Sequence, residues 1–527
     1  MKQRGGYVGR LLVAMVGAGC SSATSPNSQS GVGSDAGTTE LEAGGSAHTP
    51  DADILADAAK DSTDPDTDRT ASDVGGTEAT SPSGPTAYVT TPDLSQALAS
   101  VPVVIAPKTG VPDVTIAIDA TVRYQSILGF GASITDSSSY VLTKHLSAAA
   151  LRDALIQLFD PSLGIGLSLL RQPIGASDFS SVGDFSYDDG GADPTLAHFS
   201  LAQDLKATIP VLQQVMSINS GVFVLGTPWS APAWMKLNGS MDGSGGAAGN
   251  SGLSGSAYQP FADYFVQFVQ GYAAHGIRVA AVTPQNEPLN GSANYPGMDL
   301  GASWELQLIA QNLGPALQRA GLSTQIWAYD HNWDQESYPA QVLGDATAGG
   351  FTEGAAFHCY GGDPSAMTTF HDHYPDKSVY MTECSGGAWQ SDPWANTIDL
   401  ILDSTANWAR AVSLWNLALD EHAGPQNHGC NDCRGVVTVD SGTNTVTYNV
   451  DYYALGHFSK FVQRGAVRIG STASGNVKQV AFANPDGSFA LVAHESGGAD
   501  STMEVATGTV TLRVRVPANG GVTLVWR

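Results

Sequence analysis

The sequence has little positive charge. It contains 24 Lys and Arg residues against 50 Asp and Glu residues among 527, which gives a net charge of −26. Proteins bind nucleic acids through Lys and Arg side chains that neutralise phosphates, so this composition argues against a nucleic-acid partner. It also disfavours a polyanionic polysaccharide as a ligand. A neutral partner or substrate fits the composition better.

The sequence also lacks an apolar run of the about 20 residues that a membrane-spanning helix needs. Residues 11–19 are apolar or small, follow the basic start MKQRGGYVGR and directly precede Cys20. This order is typical of a secretory signal and looks like a bacterial lipoprotein signal. We predict a signal peptide over residues 1–20 with Cys20 as the lipidation site; a plain secretory signal with an incidental cysteine is the alternative.

Either signal predicts an exported protein, which is secreted or anchored in the cell envelope. Contact with a membrane is expected only through the lipid anchor.

Aromatic residues are absent from residues 21–86, where twelve acidic residues face two basic ones. Such a segment cannot bury enough apolar surface to offset the entropy of ordering it. We predict a disordered, acidic, Ser/Thr/Asp-rich linker over residues 21–100. Its expected role is to space the folded part of the chain from the N-terminal signal.

Strand-like and helix-like segments alternate in the middle of the chain. Eight short apolar runs, mostly followed by segments with helical spacing, lie at residues 127–130, 165–171, 222–227, 279–283, 325–329, 355–360, 379–382 and 411–415. Helical spacing is found at residues 147–159, 201–217, 260–274, 303–319 and 394–408. This alternation predicts an α/β fold, a closed (β/α)8 TIM barrel over residues 125–448.

The pattern changes after residue 449. One short helical segment, LGHFSKFVQ, precedes alternating strands such as VKQVAFAN, SFALVAHES and GVTLVWR, and DGS at residues 486–488 is a hairpin signal. We predict an antiparallel β-sandwich over residues 449–527. N-terminal strand sequence over residues 101–124 is expected to join it.

Two glutamates follow predicted strands of the barrel. TPQNEP places Glu287 after the fourth strand, and YMTEC places Glu383 after the seventh. Because a TIM barrel carries its chemistry at the carboxyl ends of its strands, the two side chains should face one cleft. Two carboxylates in one cleft are the equipment for cleaving a glycosidic bond.

Seven segments together carry a family resemblance: GFGASITDSS, LLRQPIGASDFS, TPWSAPAWMK, TPQNEP, TEC, WNLALD and LGHFSKF, in this order. They resemble glycoside hydrolase family 30, which contains glucosylceramidases, endo-β-1,6-glucanases and glucuronoxylanases. The resemblance covers residues 101–527. It implies a retaining mechanism through a covalent glycosyl–enzyme intermediate, with Glu287 as the general acid/base and Glu383 as the nucleophile.

The resemblance also implies contacts with the sugar. Asn286 would bind the 2-hydroxyl, and Asp136 and Arg171 would hold sugar hydroxyls and the region of the nucleophile; the alternative is a structural Asp–Arg pair at the barrel rim. An arginine beside Glu383 would keep that carboxylate ionised. Burial and the neighbouring carboxylate should raise the pKa of Glu287, which must be protonated before cleavage.

Aromatic residues end three further strands of the predicted barrel. Trp229, Tyr360 and Trp415 are expected to stack on pyranose rings and to exclude water. His358, in FHCY, would line the same pocket, with a buried structural histidine as the alternative. Trp234 is interpreted as a lid or core residue.

Four cysteines lie in the predicted barrel. Cys430 and Cys433, in GCNDC, are predicted to form a small disulfide loop, as an exported protein allows; a zinc site with a nearby histidine is the alternative. Cys359 and Cys384 are predicted to be free, buried thiols, with a bridge between them as the alternative. No metal or organic cofactor is expected, because two carboxylates suffice for glycoside hydrolysis.

The substrate expected is a neutral β-glucan or β-glucoside. Within the family, Asp136, Arg171 and the TPWSAPAW segment resemble the glucosylceramidase and endo-β-1,6-glucanase side, and the acidic chain shows no basic site for a glucuronic acid branch. Between these two groups, the loops at residues 238–256 and 429–433 look more like the endo-β-1,6-glucanase group. An exo-acting β-glucosidase or glucosylceramidase is the alternative. A carbohydrate-binding surface protein that has lost catalysis is the third possibility.

Overall fold

The computed structural model describes residues 84–105, 112–245, 250–508 and 510–527. The predicted signal peptide, Cys20 and the linker up to residue 83 lie outside these residues. Within the described part of the chain, every helix is too short or too polar to cross a bilayer.

The described elements follow one another as short strands and helices. The strands are β1 (Thr86–Thr90), β2 (Ala99–Val101), β3 (Val104–Ile105), β4 (Val114–Ser126), β5 (Gly129–Ser133), β6 (Leu169–Pro173), β7 (Phe223–Thr227), β8 (Val279–Val282), β9 (Gln325–Asn332), β10 (Thr352–His358), β11 (Ser378–Glu383), β12 (Gly386–Gly387), β13 (Ala409–Leu414), β14 (Ala418–Asp420), β15 (Cys433–Arg434), β16 (Val437–Asp440), β17 (Thr445–Tyr448), β18 (Val467–Ala473), β19 (Val477–Ala483), β20 (Phe489–Glu495), β21 (Ser501–Ala506), β22 (Thr511–Val516) and β23 (Gly521–Trp526). The α-helices are α1 (Asp136–His145), α2 (Ala148–Phe159), α3 (Thr208–Ile218), α4 (Tyr258–Ala274), α5 (Ala302–Leu308), α6 (Gly314–Arg319), α7 (Ser337–Gly344), α8 (Ala346–Phe351), α9 (Ser365–His373), α10 (Pro393–Ala406) and α11 (Val450–Ser459).

Eight parallel strands close a barrel in the order β5-β6-β7-β8-β9-β10-β11-β13. Each of the eight predicted apolar runs overlaps one of these strands. The strands are almost entirely buried because helices cover the outside of the barrel and side chains fill the inside, which is why they read as short apolar runs. The predicted barrel is confirmed.

The helices were harder to predict than the strands. The five predicted helical segments are present, although α3 begins only at Thr208 and a π turn separates α5 from α6. The helices α1, α7, α8 and α9 were missed. Helix α1, DSSSYVLTKH, buries three serines rather than an apolar stripe, so its sequence has no clear helical periodicity.

A ten-stranded sheet forms the second part of the described fold, in the order β2-β1-β23-β20-β19-β18-β4-β21-β22-β3. N-terminal strands therefore join C-terminal strands, as predicted. The predicted linker boundary at residue 100 is wrong, because β1 pairs in register with β23 and buries Ala87 and Val89 in the core of this sheet. Strand β21 was also missed.

Helix α11 links the two parts. Phe458 contacts Phe130 of the barrel, with ring centroids 5.2 Å apart. On the same helix, His457 bonds Thr90 and Thr523 of the ten-stranded sheet, both at 2.8 Å. The barrel and the sheet are thus joined by apolar contacts and by one buried polar cluster.

Candidate active site

Glu287 and Glu383 lie at the carboxyl ends of β8 and β11 and line one cavity of about 640 Å³. One carboxylate oxygen of each, together with a ring nitrogen of His358, lies within 4.8 Å of the others. Retaining glycosidases hold their two carboxyl groups about 5–5.5 Å apart, whereas inverting enzymes need about 6.5–9.5 Å for a water molecule. The spacing found here fits direct attack by one carboxylate on the sugar.

Arg171, on β6, ties the floor of the cavity together. Its guanidinium is fully buried and donates to Glu383 at 2.5 Å, to Asn286 at 2.6 Å and to Asp330 at 2.8 Å. These bonds fix the orientation of the Glu383 carboxylate and of the Asn286 amide. The structure therefore places Arg171 beside Glu383, as expected, but its second ionic partner is Asp330 rather than Asp136.

Asp136 does not line the cavity; it begins α1. One of its carboxylate oxygens accepts hydrogen bonds from the backbone and hydroxyl of Ser181, and the other accepts one from Gln203 at 2.9 Å. Both oxygens are thus used to hold the loop after β6. The predicted sugar contact of Asp136 stays a prediction; the residue stands three positions beyond the end of β5, where the chain has already turned into the helix.

Asp330, on β9, is the acceptor at the centre of the network and was missed by the sequence analysis. It is fully buried and accepts bonds from Arg171 and from three threonine hydroxyls, those of Thr227, Thr283 and Thr382. The Arg171 and His358 charges outweigh burial and hold its pKa far below the usual range. A signal was available, since Asp330 follows the apolar start of a barrel strand.

Two of these acidic residues have an unusual backbone conformation. Glu287 has φ 45° and Asp330 has φ 60°, in the left-handed region that residues other than glycine rarely occupy. Such conformations persist where the surroundings over-determine them, and they cluster at functional sites. Glu287 lines the cavity, whereas Asp330 is fully buried against Arg171.

His358, the last residue of β10, stands between two carboxylates. Its Nδ1 lies 3.1 Å from Glu287 and its Nε2 lies 3.0 Å from Asp330. Burial lowers its pKa, but the charges of Glu383 and Asp330 and the hydrogen bonds outweigh burial and raise the pKa to about 9. The ring is therefore cationic at neutral pH.

The pKa of Glu287 is opposite to the expectation. Burial raises it, but the hydrogen bond and charge of His358, with smaller contributions from His331 and Asn290, lower it to about 2. Burial raises the pKa of Glu383, against the opposing charges of His358 and Arg171. These shifts favour the proton on His358, next to Glu287, over the proton on Glu287.

Aromatic side chains surround the carboxylates. The Tyr360 hydroxyl donates to Glu383 at 2.9 Å and contacts the Ser385 hydroxyl at 2.9 Å. Trp229 and Trp415 stack on each other with ring centroids 4.9 Å apart, line the cavity and are buried. Trp234 does not line the cavity; its indole donates to Asp188, so it is a packing residue of the neighbouring loop.

Comparisons with known proteins agree with this geometry. The family model described as glycosyl hydrolase family 30 TIM-barrel domain matches residues 127–462, and the β-sandwich domain model of the same family matches residues 465–524. The chain belongs to glycosyl hydrolase family 30. It is a glycosyl hydrolase, and the predicted family and fold class are confirmed.

Relatives within family 30 cover most of the chain. An endo-1,6-β-D-glucanase of Neurospora crassa is 39% identical over 404 residues, which are 74% of this chain and 83% of the relative. The lysosomal acid glucosylceramidase of Mus musculus is 29% identical over 416 residues, 73% of this chain and 78% of the relative. A solved endo-β1,6-glucanase structure superposes with a TM-score of 0.79 at 32% identity, covering 84% of this chain and 99% of that one.

Both cysteine pairs of the family 30 barrel are disulfides. Cys430 is bonded to Cys433, as predicted, so their sulfurs are not free for the alternative zinc site. Cys359 is bonded to Cys384, so the prediction of free thiols is wrong. A register shift between β10 and β11 aligns His358 with Glu383 and brings the two following residues within 5.4 Å, measured between Cα atoms.

Sequence reasoning missed several residues that line the cavity. Asp178, in the ASDFS segment, has one buried carboxyl oxygen without a partner, and burial and the charges of Glu383 and Glu287 raise its pKa well above the usual range. The signal for Asp178 was its position in a family-like segment. Further missed lining residues are Leu289, Asn290, Tyr295, Trp389 and His428 on loops and His331 on β9.

Proposed function

We propose that this chain is a retaining endo-β-1,6-glucanase in which Glu383 is the nucleophile and Glu287 the general acid/base. The observation that carries the mechanism is the placement of both carboxylates within 4.8 Å at the mouth of the barrel. Endo-1,6-β-glucanases are also among its relatives, at 39–40% identity. The described lining of the cavity contains no Lys or Arg, which suits an uncharged glucan.

The reaction has two displacements. Glu383 attacks the anomeric carbon while Glu287 donates a proton to the departing glycosidic oxygen. A covalent glycosyl–enzyme forms, in which the anomeric configuration is inverted from β to α. Glu287 then accepts a proton from water, which attacks the same carbon and releases Glu383 with overall retention. Arg171 and the Tyr360 hydroxyl hold the Glu383 carboxylate for the first attack.

The proton for the first step comes from the His358–Glu287 pair. The two partners lie 3.1 Å apart, and the raised pKa of His358, about 9, favours the shared proton on the imidazole. A sugar that enters the cavity displaces water from Glu287. With less water around it, the ionised His358–Glu287 pair becomes less stable relative to the neutral pair. Transfer of the proton from Nδ1 to Glu287 then produces the neutral acid that the reaction requires.

The floor of the cavity provides contacts for the reacting sugar. The stacked indoles of Trp229 and Trp415 offer an apolar surface to a pyranose ring. Arg171 donates to the Asn286 Oδ1 and so fixes the amide, whose Nδ2 is proposed to reach the 2-hydroxyl. Asp178 has a carboxyl oxygen without a protein partner, which suits a further sugar hydroxyl.

An exo-acting glucosylceramidase-like activity is the second candidate. Its support is the group of glucosylceramidases and putative glucosylceramidases that are 29–32% identical to this chain. The glucanase is preferred because its identity is higher. A surface protein without catalysis is disfavoured, because both carboxylates and their partners are in place.

The place of action proposed is outside the cytoplasmic membrane. Residues 1–20 carry the features of a signal peptide, and Cys20 is the proposed lipidation site. Labelling with a radioactive or clickable palmitate in the native host, compared between the wild type and Cys20→Ala, tests this. Label that persists in Cys20→Ala would contradict lipidation at that residue.

Product analysis on a β-1,6-glucan tests the proposed activity. Residues 84–527 would be incubated with the polymer, with an aryl β-glucoside and with glucosylceramide, and Glu383→Gln would serve as the inactive control. Early gentiobiose and longer oligomers are expected from the polymer. Glucose as the sole early product, or activity confined to the two small substrates, would overturn the endo-glucanase proposal and favour the exo-acting alternative.

A further inference from the structure

The rim of the catalytic cavity differs from its floor in exposure. Trp229, Trp415 and Glu383 on the floor are at most 5% exposed. On the rim, three side chains that line the same cavity are 45–53% exposed: Leu289, Tyr360 and Trp389. The floor is thus buried, whereas the rim offers exposed apolar surface.

Trp389 is the largest and most exposed of these apolar rim residues, at 53%. A single exposed hydrophobic residue is ordinary on a protein surface and needs no explanation. This one stands on the wall of the cavity that holds both catalytic glutamates, so its open indole faces the space where substrate must lie. Its position thus distinguishes it from a randomly exposed side chain.

The indole of Trp389 is held in place by a contact with the protein backbone. A Cβ atom placed on Gly387 would lie 2.0 Å from the ring, so the indole rests directly on the bare backbone of this glycine. Gly387 in turn pairs with Cys433 in the short ladder between β12 and β15. A platform that is already rigid loses little conformational entropy on binding.

Three kinds of interaction hold the β12–β15 ladder in place. The Ala388 amide donates to the Asp432 carbonyl at 2.9 Å, and the Cys430–Cys433 disulfide closes the facing loop. Arg434 donates to Gln390 at 2.9 Å and forms an ion pair with Asp451 of helix α11. The segment that carries Trp389 is therefore anchored to the body of the barrel.

We propose that Trp389 is a stacking platform for a second glucosyl unit, the one next to the reacting sugar in a β-1,6-glucan chain. The inference rests on the proposed endo-glucanase function and goes further by assigning a subsite outside the catalytic floor. A β-1,6 linkage contains an additional rotatable bond, so a free chain is flexible. A rigid aromatic surface that holds the neighbouring ring flat selects the conformation in which the scissile bond meets Glu287.

Two substrates separate this role from a structural one. The β-1,6-glucan needs the neighbouring subsite, whereas β-glucosyl fluoride, whose leaving group is a single atom, occupies only the floor. Trp389→Ala is expected to lower kcat/KM on the polymer by about 10–100-fold, the effect of removing an aromatic anchor, and to change kcat/KM on the fluoride less than about twofold. Trp389→Tyr should recover much of the loss.

Trp304→Ala is the matched control, because Trp304 is 40% exposed and does not line the cavity. It should leave both activities unchanged. Equal losses of Trp389→Ala on both substrates, or no loss on the polymer, would overturn the subsite while the proposed function stands. A wild-type enzyme that is inactive on the β-1,6-glucan but active on the fluoride would overturn the proposed function, and the subsite with it.

Discussion

Two histidines, both fully buried, have opposite charge states in this molecule. His358 lies at the mouth of the barrel between Glu287 and Asp330, and its pKa is raised to about 9. His457 lies where the barrel meets the ten-stranded sheet, and burial, with a smaller contribution from His494, lowers its pKa to about 3. Equal burial therefore does not determine the charge; the neighbours do.

The partners of His457 require a neutral ring. The Thr523 hydroxyl donates its proton to the His457 carbonyl, so it can only accept at Nδ1. The Thr90 hydroxyl accepts the Leu98 amide and donates to Nε2. The hydroxyls and the imidazole of this cluster are hydrogen-bonded without charge, whereas the barrel mouth keeps three carboxylates against the two cations Arg171 and His358.

The comparison shows how the two regions use buried polar groups. At the junction, hydroxyls and a neutral imidazole join two layers at low desolvation cost. At the barrel mouth, charges are buried because they are needed for proton transfer and for nucleophilic attack, and each depends on its neighbours. Removal of a single partner should therefore be costly at the mouth and mild elsewhere.

Asp330→Asn should have the largest effect. It leaves Arg171 and His358 without their shared anion, and breaking a buried ion pair costs about 3–5 kcal/mol. We expect a loss of this order in the free energy of unfolding and a fall in kcat/KM of at least about 100-fold. Denaturant titration and assays on a β-1,6-glucan would measure both.

Asp204→Asn is the matched control for Asp330→Asn. Asp204 is equally buried, but burial raises its pKa to about 7, and its partners are the hydroxyls of Tyr187 and Tyr272, which an amide oxygen can also accept. Its replacement should cost much less. Equal losses in the two variants would show that Asp330 is an ordinary buried acceptor.

The two histidines should impose opposite pH dependence on stability. With a folded pKa of about 9 against about 6.5 unfolded, His358 binds more protons in the native state, so its contribution is full below pH of about 6.5 and is lost as the pH rises through about 9. With a folded pKa of about 3, His457 contributes above pH of about 6.5 and its contribution is lost as the pH falls toward 3.

The variants His358→Gln and His457→Gln separate the two effects. Denaturant midpoints would be measured from pH 4 to pH 9.5, an interval that reaches about 2.5 units below and about 3 units above the pKa of free histidine. The pH dependence of the midpoint should become flatter on the alkaline side in the first variant and on the acid side in the second. Changes on the same side in both variants would contradict the assigned charge states.

The two disulfides offer a smaller contrast. Cys359–Cys384 follows His358 and Glu383 directly, so replacing both cysteines by serine should loosen the catalytic geometry and lower kcat by about 10–100-fold. The Cys430→Ser/Cys433→Ser variant should instead raise KM for the polymer, because that loop supports the rim. Steady-state kinetics of both double variants, with folding checked by circular dichroism, would test this contrast. The same change in kcat and KM in both variants would contradict it.

Asp136→Asn should have the smallest effect on activity. Its hydrogen bonds to Ser181 and Gln203 are structural, so we expect a loss of about 1–2 kcal/mol in stability and a change in kcat/KM below about twofold. Kinetics on β-glucosyl fluoride and thermal melts would check this. A large rise in KM without loss of stability would indicate that Asp136 contacts the sugar.

Features that depend only on position along a strand could be predicted from the sequence. The apolar runs located the barrel, and the rule that side chains at strand ends meet in one cleft located Glu287 and Glu383. The same rule also fits Asp330, whereas Asp136 lies past a turn and begins a helix. Strand register joined Cys359 to Cys384, and register between parallel strands is not encoded locally.

Charge states were less predictable than positions. The pKa of Glu287 depends on the contact with His358, which comes from a strand that is two places further along the barrel. The neutral state of His457 depends on two threonines from opposite ends of the described chain. Pairings over such distances in sequence become visible only in three dimensions.

The most direct test of the central claim is to trap the intermediate with 2-deoxy-2-fluoro-β-glucosyl fluoride. Peptide mapping by mass spectrometry would locate the bound sugar, and proton NMR of the first product from a β-1,6-glucan would give its anomeric configuration. The account predicts a label on Glu383 and a product that first appears as the β-anomer. A label on Glu287, or an α-anomeric first product, would contradict it.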